Sequence, residues 1–201
     1  MIGTLLFAAM APAQTNIDFA RWAMSKSEAR RESDAVAVEL ELWVGPDGKV
    51  EGCNVARFAG TEAAAKNLCD QTVGQRVTPA RDAQGSASYG VARATVVAAR
   101  DDVQVRNDLR RALDGSAPIE DVVLAEGVGA PLEYYTVLVD SEGEIGECQA
   151  SADAPAESAA AVCGELAGEQ RPVRLSKAGA AVAYVERLRV RYAPPPAMSA
   201  N

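Results

Sequence analysis

Histidine is absent from all 201 residues of the chain. Without an imidazole, the Ser-His-Asp and Cys-His arrangements of hydrolases are excluded. The four cysteines form no C-x-x-C pair, so the common zinc and thioredoxin patterns are missing as well. We therefore predict no catalytic, cofactor-binding or metal-binding residue. An enzyme of an unrecognised type stays open as a third hypothesis.

Aromatic residues make up only 5% of the chain, and the net charge is −8. An acidic chain is a poor partner for the phosphate backbone, so we predict no nucleic-acid binding. A core built from small side chains buries little area per residue. A unit of about 60–70 residues built in this way often needs a covalent staple.

Long apolar runs are also lacking. The run Ile2–Met10 is too short to cross a bilayer, and Ala11-Pro12-Ala13 after it resembles a signal-peptidase site. No Lys or Arg precedes the run, so residues 1–13 are predicted as an atypical signal peptide. We expect a periplasmic or secreted protein whose association with membranes is at most indirect.

An internal repeat is the main feature that the chain does contain. Five landmarks in the first half return in the second half after 93 to 95 residues. In order, these pairs are Gly48 and Gly143, Cys53 and Cys148, Cys69 and Cys163, Pro79 and Pro172, and Gly85 and Gly179. We predict two tandem modules, at residues 14–99 and 132–193, joined by a linker at 100–131 and followed by a Pro-rich tail at 194–201.

The first module is predicted to be β-β-α-β, after a lead-in helix around Asp18–Ala23. Val36–Val44 alternates apolar and polar residues, which predicts a strand with one buried and one wet face. Pro46-Asp47-Gly48 predicts the turn of a hairpin, with a bulge near Gly52. The last strand is predicted at Tyr89–Ala98. The predicted helix carries its apolar stripe at Ala65, Leu68, Cys69 and Thr72.

The linker is predicted to contain a helix and a short strand at Val122–Leu124. In the second module, the final strand is predicted at Val182–Tyr192. The apolar stripes of the two predicted helices are Val105, Leu109, Ala112 and Leu113 in the linker, and Ala159, Val162, Cys163 and Leu166 in the second module.

Two cysteines at matching positions in each module predict one disulfide per module, with free buried thiols as the alternative. Cys53 on the second strand is predicted to bond to Cys69 on the helix. Cys148 and Cys163 hold the same positions in the second module. The Cys53–Cys69 bond would close a loop of 69 − 53 = 16 residues. By the chain-entropy estimate, this closure contributes roughly 3 kcal/mol to stability.

The order of these pieces resembles the C-terminal domain of TonB. The matching segments are Gly45–Val50, Val77–Asp82 and Gly85 in the first module. Weaker matches in the second module are Asp140–Ile145, Arg171–Arg174 and Gly179. The resemblance implies an α+β fold of two tandem ββαβ two-layer modules of TolA/TonB C-terminal type, joined by a helix-containing linker.

In that family the domain is periplasmic and binds an extended peptide of an outer-membrane transporter at a sheet edge. The resemblance therefore implies a protein or peptide partner, bound by strand addition, and a link to TonB-dependent transport. The membrane anchor and long Pro-rich spacer of a TonB are not found here. We expect this chain not to transmit energy by itself.

The final strands are the predicted partner-binding edges. Arg187, Arg189 and Arg191 alternate on the last strand, which is typical of a solvated face that discourages edge pairing or of a dock for an acidic peptide. On its predicted strand, Trp43 points to the face opposite the alternating apolar residues. It is therefore covered by the lead-in helix or the other module, or it is an exposed contact. The candidate partner-binding residues are Tyr89, Val91, Arg93, Tyr184, Arg187, Arg189 and Arg191.

Two hypotheses of different kinds precede the enzyme hypothesis. In the first, the protein is non-catalytic and binds an extended polypeptide at Tyr89–Ala98 or Val182–Tyr192. In the second, it maintains the cell envelope as a structural protein whose two modules pair with each other and leave no edge free. The sequence leaves the partner's identity, the oligomeric state and the packing of the modules open.

Overall fold

The computed structural model describes residues 9–15, 35–98, 103–114, 120–122, 133–152 and 154–192. The predicted lead-in helix at Asp18–Ala23, the tail at 194–201 and residues 1–8 lie outside the described residues. Within these ranges the fold is α+β. We refer to residues 36–98 as the first unit and to residues 133–192 as the second unit.

The same order of elements occurs in both units. The first unit contains β1 (Val36–Val44), β2 (Val50–Ala59), α1 (Glu62–Thr72), β3 (Ala80–Arg81) and β4 (Ala87–Ala98). Between the units lie α2 (Val103–Asp114) and β5 (Glu120–Val122). The second unit contains β6 (Glu133–Val139), β7 (Ile145–Ala150), α3 (Ala156–Leu166), β8 (Arg174–Leu175), β9 (Ala181–Val182) and β10 (Tyr184–Tyr192).

Each unit begins with a tight hairpin, as the turn residues predict. Gly48 has φ of 78° and Gly143 has φ of 89°, a conformation that L side chains rarely adopt. A Cβ at Gly48 would also lie 2.5 Å from the Val77 carbonyl oxygen. The β1–β2 register shifts between Trp43 and Val44, which confirms the bulge predicted near Gly52.

The disulfide pairing is also confirmed. Cys53 bonds to Cys69 and Cys148 bonds to Cys163, each pair with its Cα atoms 5.5 Å apart. In both units the bond fastens the second strand to the helix above it. Disulfides of this kind are typical of proteins in oxidising compartments.

All the described strands except β8 and β9 join in one sheet, whose main path has the order β2-β1-β4-β10-β6-β7, so β2 and β7 are its two ends. The final strands of the two units meet at the junction, where Tyr89 lies opposite Tyr184 and Gly90 opposite Val185. This pairing is parallel, whereas the ladders inside each unit are antiparallel. The short strand β5 adds in parallel to the other end of β10.

Helices α1 and α3 lie on opposite faces of this sheet. Successive side chains of a strand point to opposite faces. Ala92 of β4 packs in the core that includes Leu68 of α1, whereas its neighbour Val91 packs in the core that includes Val162 of α3. The final strands of the units run parallel, the strand order is mirrored across the junction, and the two helices lie on opposite faces. A rotation of about half a turn around an axis along the strands therefore relates the two units.

Two predictions about buried faces need correction. Strand β1 has no wet face over Val36–Leu40, because Ala37 is fully buried and Glu39 is only 6% exposed on the side away from α1. Helix α2 packs against β1 and covers that side. On α2 itself only Leu113 of the predicted stripe is buried; Leu109 is half-buried, and Val105 and Ala112 are exposed.

Three smaller differences concern boundaries and the helix of the second unit. The described linker strand is Glu120–Val122, so it begins two residues before the predicted Val122–Leu124, whose last two residues lie outside the described residues. The predicted last strand, Val182–Tyr192, is interrupted at Ala183 and divides into β9 and β10. On α3 the buried residues are Ser158, Val162 and Leu166, while Ala159 and Cys163 are half-buried.

The N-terminal segment 9–15 is integrated into the fold. Ala11 and Arg81 exchange backbone hydrogen bonds, and so do Gln14 and Thr78. Ala13 belongs to the core around α1. The predicted cleavage region at Ala11-Pro12-Ala13 therefore makes contacts in the folded protein.

Candidate functional site

An aromatic cluster holds the two units together at the junction. The Trp43 ring stacks on Tyr89 with centroids 5.2 Å apart, and it meets the Tyr184 ring edge-on at 5.5 Å. The Arg174 guanidinium carbon lies 5.9 Å from the Trp43 ring centroid. Of the three positions that the sequence left open for Trp43, the structure shows coverage by the second unit, while the predicted lead-in helix lies outside the described residues.

A network of ion pairs surrounds this cluster and crosses the junction. Arg93 of the first unit lies 3.4 Å from Glu186 of the second unit and 3.9 Å from Glu41. Arg171 lies 3.4 Å from the same Glu186 carboxylate. Arg174 reaches back from β8 to pair with Glu41. The carboxylates therefore come from both units, and so do the guanidinium groups.

Glu186 is the most buried acid of this network, with 4% of its surface exposed. Burial raises the pKa of its carboxyl above the ordinary value, and the nearby Arg171 and Arg93 charges oppose that shift. Burial also raises the pKa of the Tyr184 hydroxyl, which donates a hydrogen bond to the Pro172 carbonyl. The junction therefore buries two titratable side chains, Glu186 and Tyr184.

A cleft opens where β4 and β10 separate beyond Gly90 and Val185. Its volume is about 390 Å³. The lining residues come from the N-terminal segment and from both units. They are Pro12, Ala13, Gln14, Thr15, Glu39, Val91, Arg93, Tyr134, Arg187 and Arg189.

The backbone of β4 presents hydrogen-bonding groups to this cleft. In an antiparallel sheet, successive residues direct their N–H and C=O groups alternately to the two neighbouring strands. The Gly45 amide donates to the Lys49 carbonyl at 2.9 Å, so the backbone groups of the preceding residue, Val44, point to β4 instead. Val44 lies opposite Gly90. Even-numbered residues of β4 therefore bond to β1, and odd-numbered residues face away from it.

Three residues continue this outward pattern beyond the junction: Arg93, Thr95 and Val97. Their backbone groups have no strand partner in the part of the chain that the structure describes. The β1–β4 register contains no shift from Val44 to Val36, so this edge of β4 is regular. A regular, unpaired strand edge is the geometry that accepts an added strand.

The two ends of the sheet differ from this edge. The β1–β2 register shifts twice, and the β6–β7 register shifts once. Bulges bend a strand and discourage pairing at exposed edges. A groove of about 660 Å³ runs between β2 and α1 beside the exposed Phe58, but its lining includes both members of the Cys53–Cys69 disulfide.

The predicted partner-binding residues fall into three groups. Tyr89 and Tyr184 lie in the junction, and Tyr184 is fully buried because Trp43 and the second core cover it. The members that line the cleft are Val91, Arg93, Arg187 and Arg189. Arg191 is exposed on β10 outside the cleft.

Glu39, Glu186 and Tyr134 belong to the site, but the sequence reading did not select them. Glu39 pairs with Arg57 and lies 3.6 Å from Arg189. The alternation of Glu39 and Glu41 with apolar residues on β1 was a usable signal, because it places both acids on the face that carries Trp43. From the sequence, coverage of that face by the other module was one of three alternatives for Trp43.

No group of residues that could hold a metal ion is found among the described residues. In the same part of the chain, no helix is long and apolar enough to span a membrane. Comparisons with protein-family models, curated proteins and solved structures found no match to this chain.

Proposed function

We propose that the protein is an exported, non-catalytic binding protein that takes up an extended polypeptide by strand addition, as the TonB C-terminal domain does. The binding edge is Arg93–Val97 of β4, which begins at the cleft between the two units and continues beyond it. The observation that carries this proposal is the regular backbone of that edge, which has no strand partner among the described residues, with Thr95 exposed at its centre. Two disulfides and a TonB-like element order support export to the periplasm or beyond.

The cleft adds side-chain contacts to the backbone edge. Val91 offers an apolar surface at one end, and Tyr134 and Arg187 face it from the second unit. Strand addition derives affinity from main-chain hydrogen bonds and selectivity from such neighbouring side chains. A link to TonB-dependent transport belongs to this proposal through the resemblance alone.

A proline at Thr95 tests the edge directly. Thr95→Pro removes an N–H that points away from β1 and leaves the ladder to β1 intact, because proline is tolerated where a strand's N–H has no partner. Thr95→Val is the matched control that keeps the N–H. Peptides are first selected on the oxidised full chain from a random displayed library, and their affinities are then measured by fluorescence anisotropy.

We expect Thr95→Pro to weaken binding about tenfold or more, since a lost hydrogen bond and the added ring both oppose pairing. Thr95→Val should bind within about twofold of the wild type. Circular dichroism checks that the proline variant is folded. If the proline variant is not folded, hydrogen exchange of the Thr95 and Val97 amides is measured in the wild type instead. We expect this exchange to slow when the peptide binds. Equal affinity of a folded Thr95→Pro, or unchanged exchange, would reject the proposal.

A second candidate function is a structural role in which the units serve mainly each other. The observation in its favour is the junction itself, where the two final strands pair and Arg93, Glu186 and Arg174 bridge the units. This candidate predicts that the library yields no peptide that competes at the cleft. It also predicts that the Thr95 amide is protected in the protein alone.

A further inference from the structure

Positive charge is concentrated in the cleft of a chain whose net charge is −8. Among the described residues, the charged side chains of its lining are Arg93, Arg187 and Arg189 against a single carboxylate, Glu39. Glu39 is itself shared, because it also pairs with Arg57. The cleft therefore carries an excess of guanidinium groups over the acids that face them.

The three arginines are not equivalent. Arg93 is neutralised by Glu186 and Glu41, and Arg189 lies 3.6 Å from Glu39. Arg187 is exposed and forms no ion pair with any of the residues that the structure describes. Its guanidinium carbon instead lies 4.2 Å from the centroid of the Tyr134 ring.

The contact with the Tyr134 ring favours a position of the Arg187 guanidinium at the cleft. A guanidinium group held flat on a ring keeps its N–H groups at the edge, where they can receive a carboxylate in a bidentate manner. Because the orientation is set before binding, little side-chain freedom remains to be lost when a carboxylate arrives.

We infer that the polypeptide bound in the cleft is acidic, and that Arg187, oriented by Tyr134, receives one of its Asp or Glu carboxylates. This inference rests on the proposed function, since it names the ligand class of the same site. The inference depends on charge complementarity. Among the described residues the cleft has more arginines than carboxylates, and Arg187 is the cleft arginine that has no carboxylate partner there.

The test compares two probes that differ only in charge. A fluorescein-labelled peptide of alternating Val and Glu, and its counterpart with Gln in place of Glu, are titrated with the oxidised full chain. Each peptide selected from the library is treated in the same way, with its acids replaced by amides. The proteins are the wild type, Arg187→Gln and, as the matched control, Arg191→Gln, which removes an exposed arginine of the same strand outside the cleft.

For the wild type we expect the acidic form to bind about threefold to tenfold more tightly than the amide form at low salt. Arg187→Gln should bring the two forms within about twofold of each other, and Arg191→Gln should leave the preference as it is. The preference should shrink as salt is raised from about 50 mM to about 500 mM, because partly exposed charges are screened.

Equal binding of the two forms by the wild type, or an undiminished preference in Arg187→Gln, would overturn the inference. In both cases loss of binding in Thr95→Pro would leave the strand-addition proposal standing. If neither probe binds and the library yields no peptide, the proposed function fails together with the inference.

Discussion

The two units differ most in how their second hairpin joins the sheet. In the first unit, β3 pairs with β4, and β4 continues without a break from Ala87 to Ala98. In the second unit, β8 and β9 form a separate two-stranded sheet, and Ala183 interrupts the path from β9 to β10. The same order of elements therefore gives one hairpin inside the common sheet and one outside it.

This difference determines how the units hold each other. The separate hairpin carries Arg174 across the junction, where it contacts Glu41 and the Trp43 ring. Its counterpart in the first unit has the fully buried Ala80 instead, which packs beside Gly90 and leaves room for the second unit. At this position, therefore, the second unit reaches across the junction through Arg174, whereas the first unit has a small buried side chain.

Removing either disulfide gives the largest expected effect. The bonds close spans of 16 and 15 residues, so chain entropy predicts about the same loss for each, roughly 3 kcal/mol. Cys69 is 4% exposed and lies in the core, whereas Cys163 is half-buried. We therefore expect the double variant Cys53→Ala/Cys69→Ala to lose more stability than Cys148→Ala/Cys163→Ala, as measured by urea unfolding.

The wild type unfolded under reducing conditions is the control for this pair of variants. It lacks both bonds, so it should lose at least as much stability as either variant. A larger loss for the Cys148/Cys163 variant would mean that the second unit depends more on its bond than its packing indicates.

A methyl group at Gly90 should have the next largest effect. A Cβ there would lie 2.5 Å from the Ala80 Cβ, 3.1 Å from the Val185 carbonyl oxygen and 3.2 Å from the Ala13 Cβ. We expect Gly90→Ala to cost about 1–3 kcal/mol, since overpacking forces neighbouring segments apart. The free energy of unfolding in urea measures this cost.

Gly146→Ala provides the control in the second unit, because no atom lies within 4 Å of a Cβ at that position. It should leave stability unchanged or raise it by up to about 1 kcal/mol through reduced freedom of the unfolded chain. If Gly90→Ala were as harmless as Gly146→Ala, the close contact at the junction would not be a constraint on the fold.

The smallest expected effect is a pH dependence that arises from Glu186. Burial raises the pKa of this carboxyl in the folded state above its ordinary value of 4.5. The folded protein then holds the proton more strongly than the unfolded chain does. The stabilising contribution is therefore complete below pH 4.5 and is lost as the pH rises through the folded-state pKa.

Glu186→Gln removes this titration while keeping the shape of the side chain. We expect the stability of the wild type, relative to the variant, to fall with rising pH, by at most about 1.4 kcal/mol per pH unit. Urea unfolding of both proteins at several pH values measures the difference, with Glu142→Gln in an exposed turn as the control. A difference that rises with pH would mean that Arg93 and Arg171 outweigh burial.

Local features of the fold could be predicted because they depend on neighbours in the sequence. Gly48 allows the positive φ that the turn needs. In a regular strand Val50 and Val55 would point to opposite faces, so a bulge between them is predicted from this short stretch alone. The matched spacing of the cysteines similarly predicts the disulfides. These features fix each unit but do not say how the two units meet.

The junction and the cleft could not be predicted in this way. The coverage of Trp43 and Glu39 depends on the second unit and α2, which are far away in sequence. The break at Ala183, which frees Arg174 to cross the junction, has no turn residue to mark it. The sequence therefore placed Arg187 on the correct strand without indicating that Tyr134 and a cleft lie beside it.

The half-turn relation between the units limits how far such an arrangement can extend. Each unit contributes its final strand to the junction, and the contact is self-complementary, so both copies of the joining surface are used when two units meet. A solenoid keeps an open face on its last repeat and can grow by adding another. Here a third unit would have no free final strand to pair with, so this kind of junction joins two units and no more.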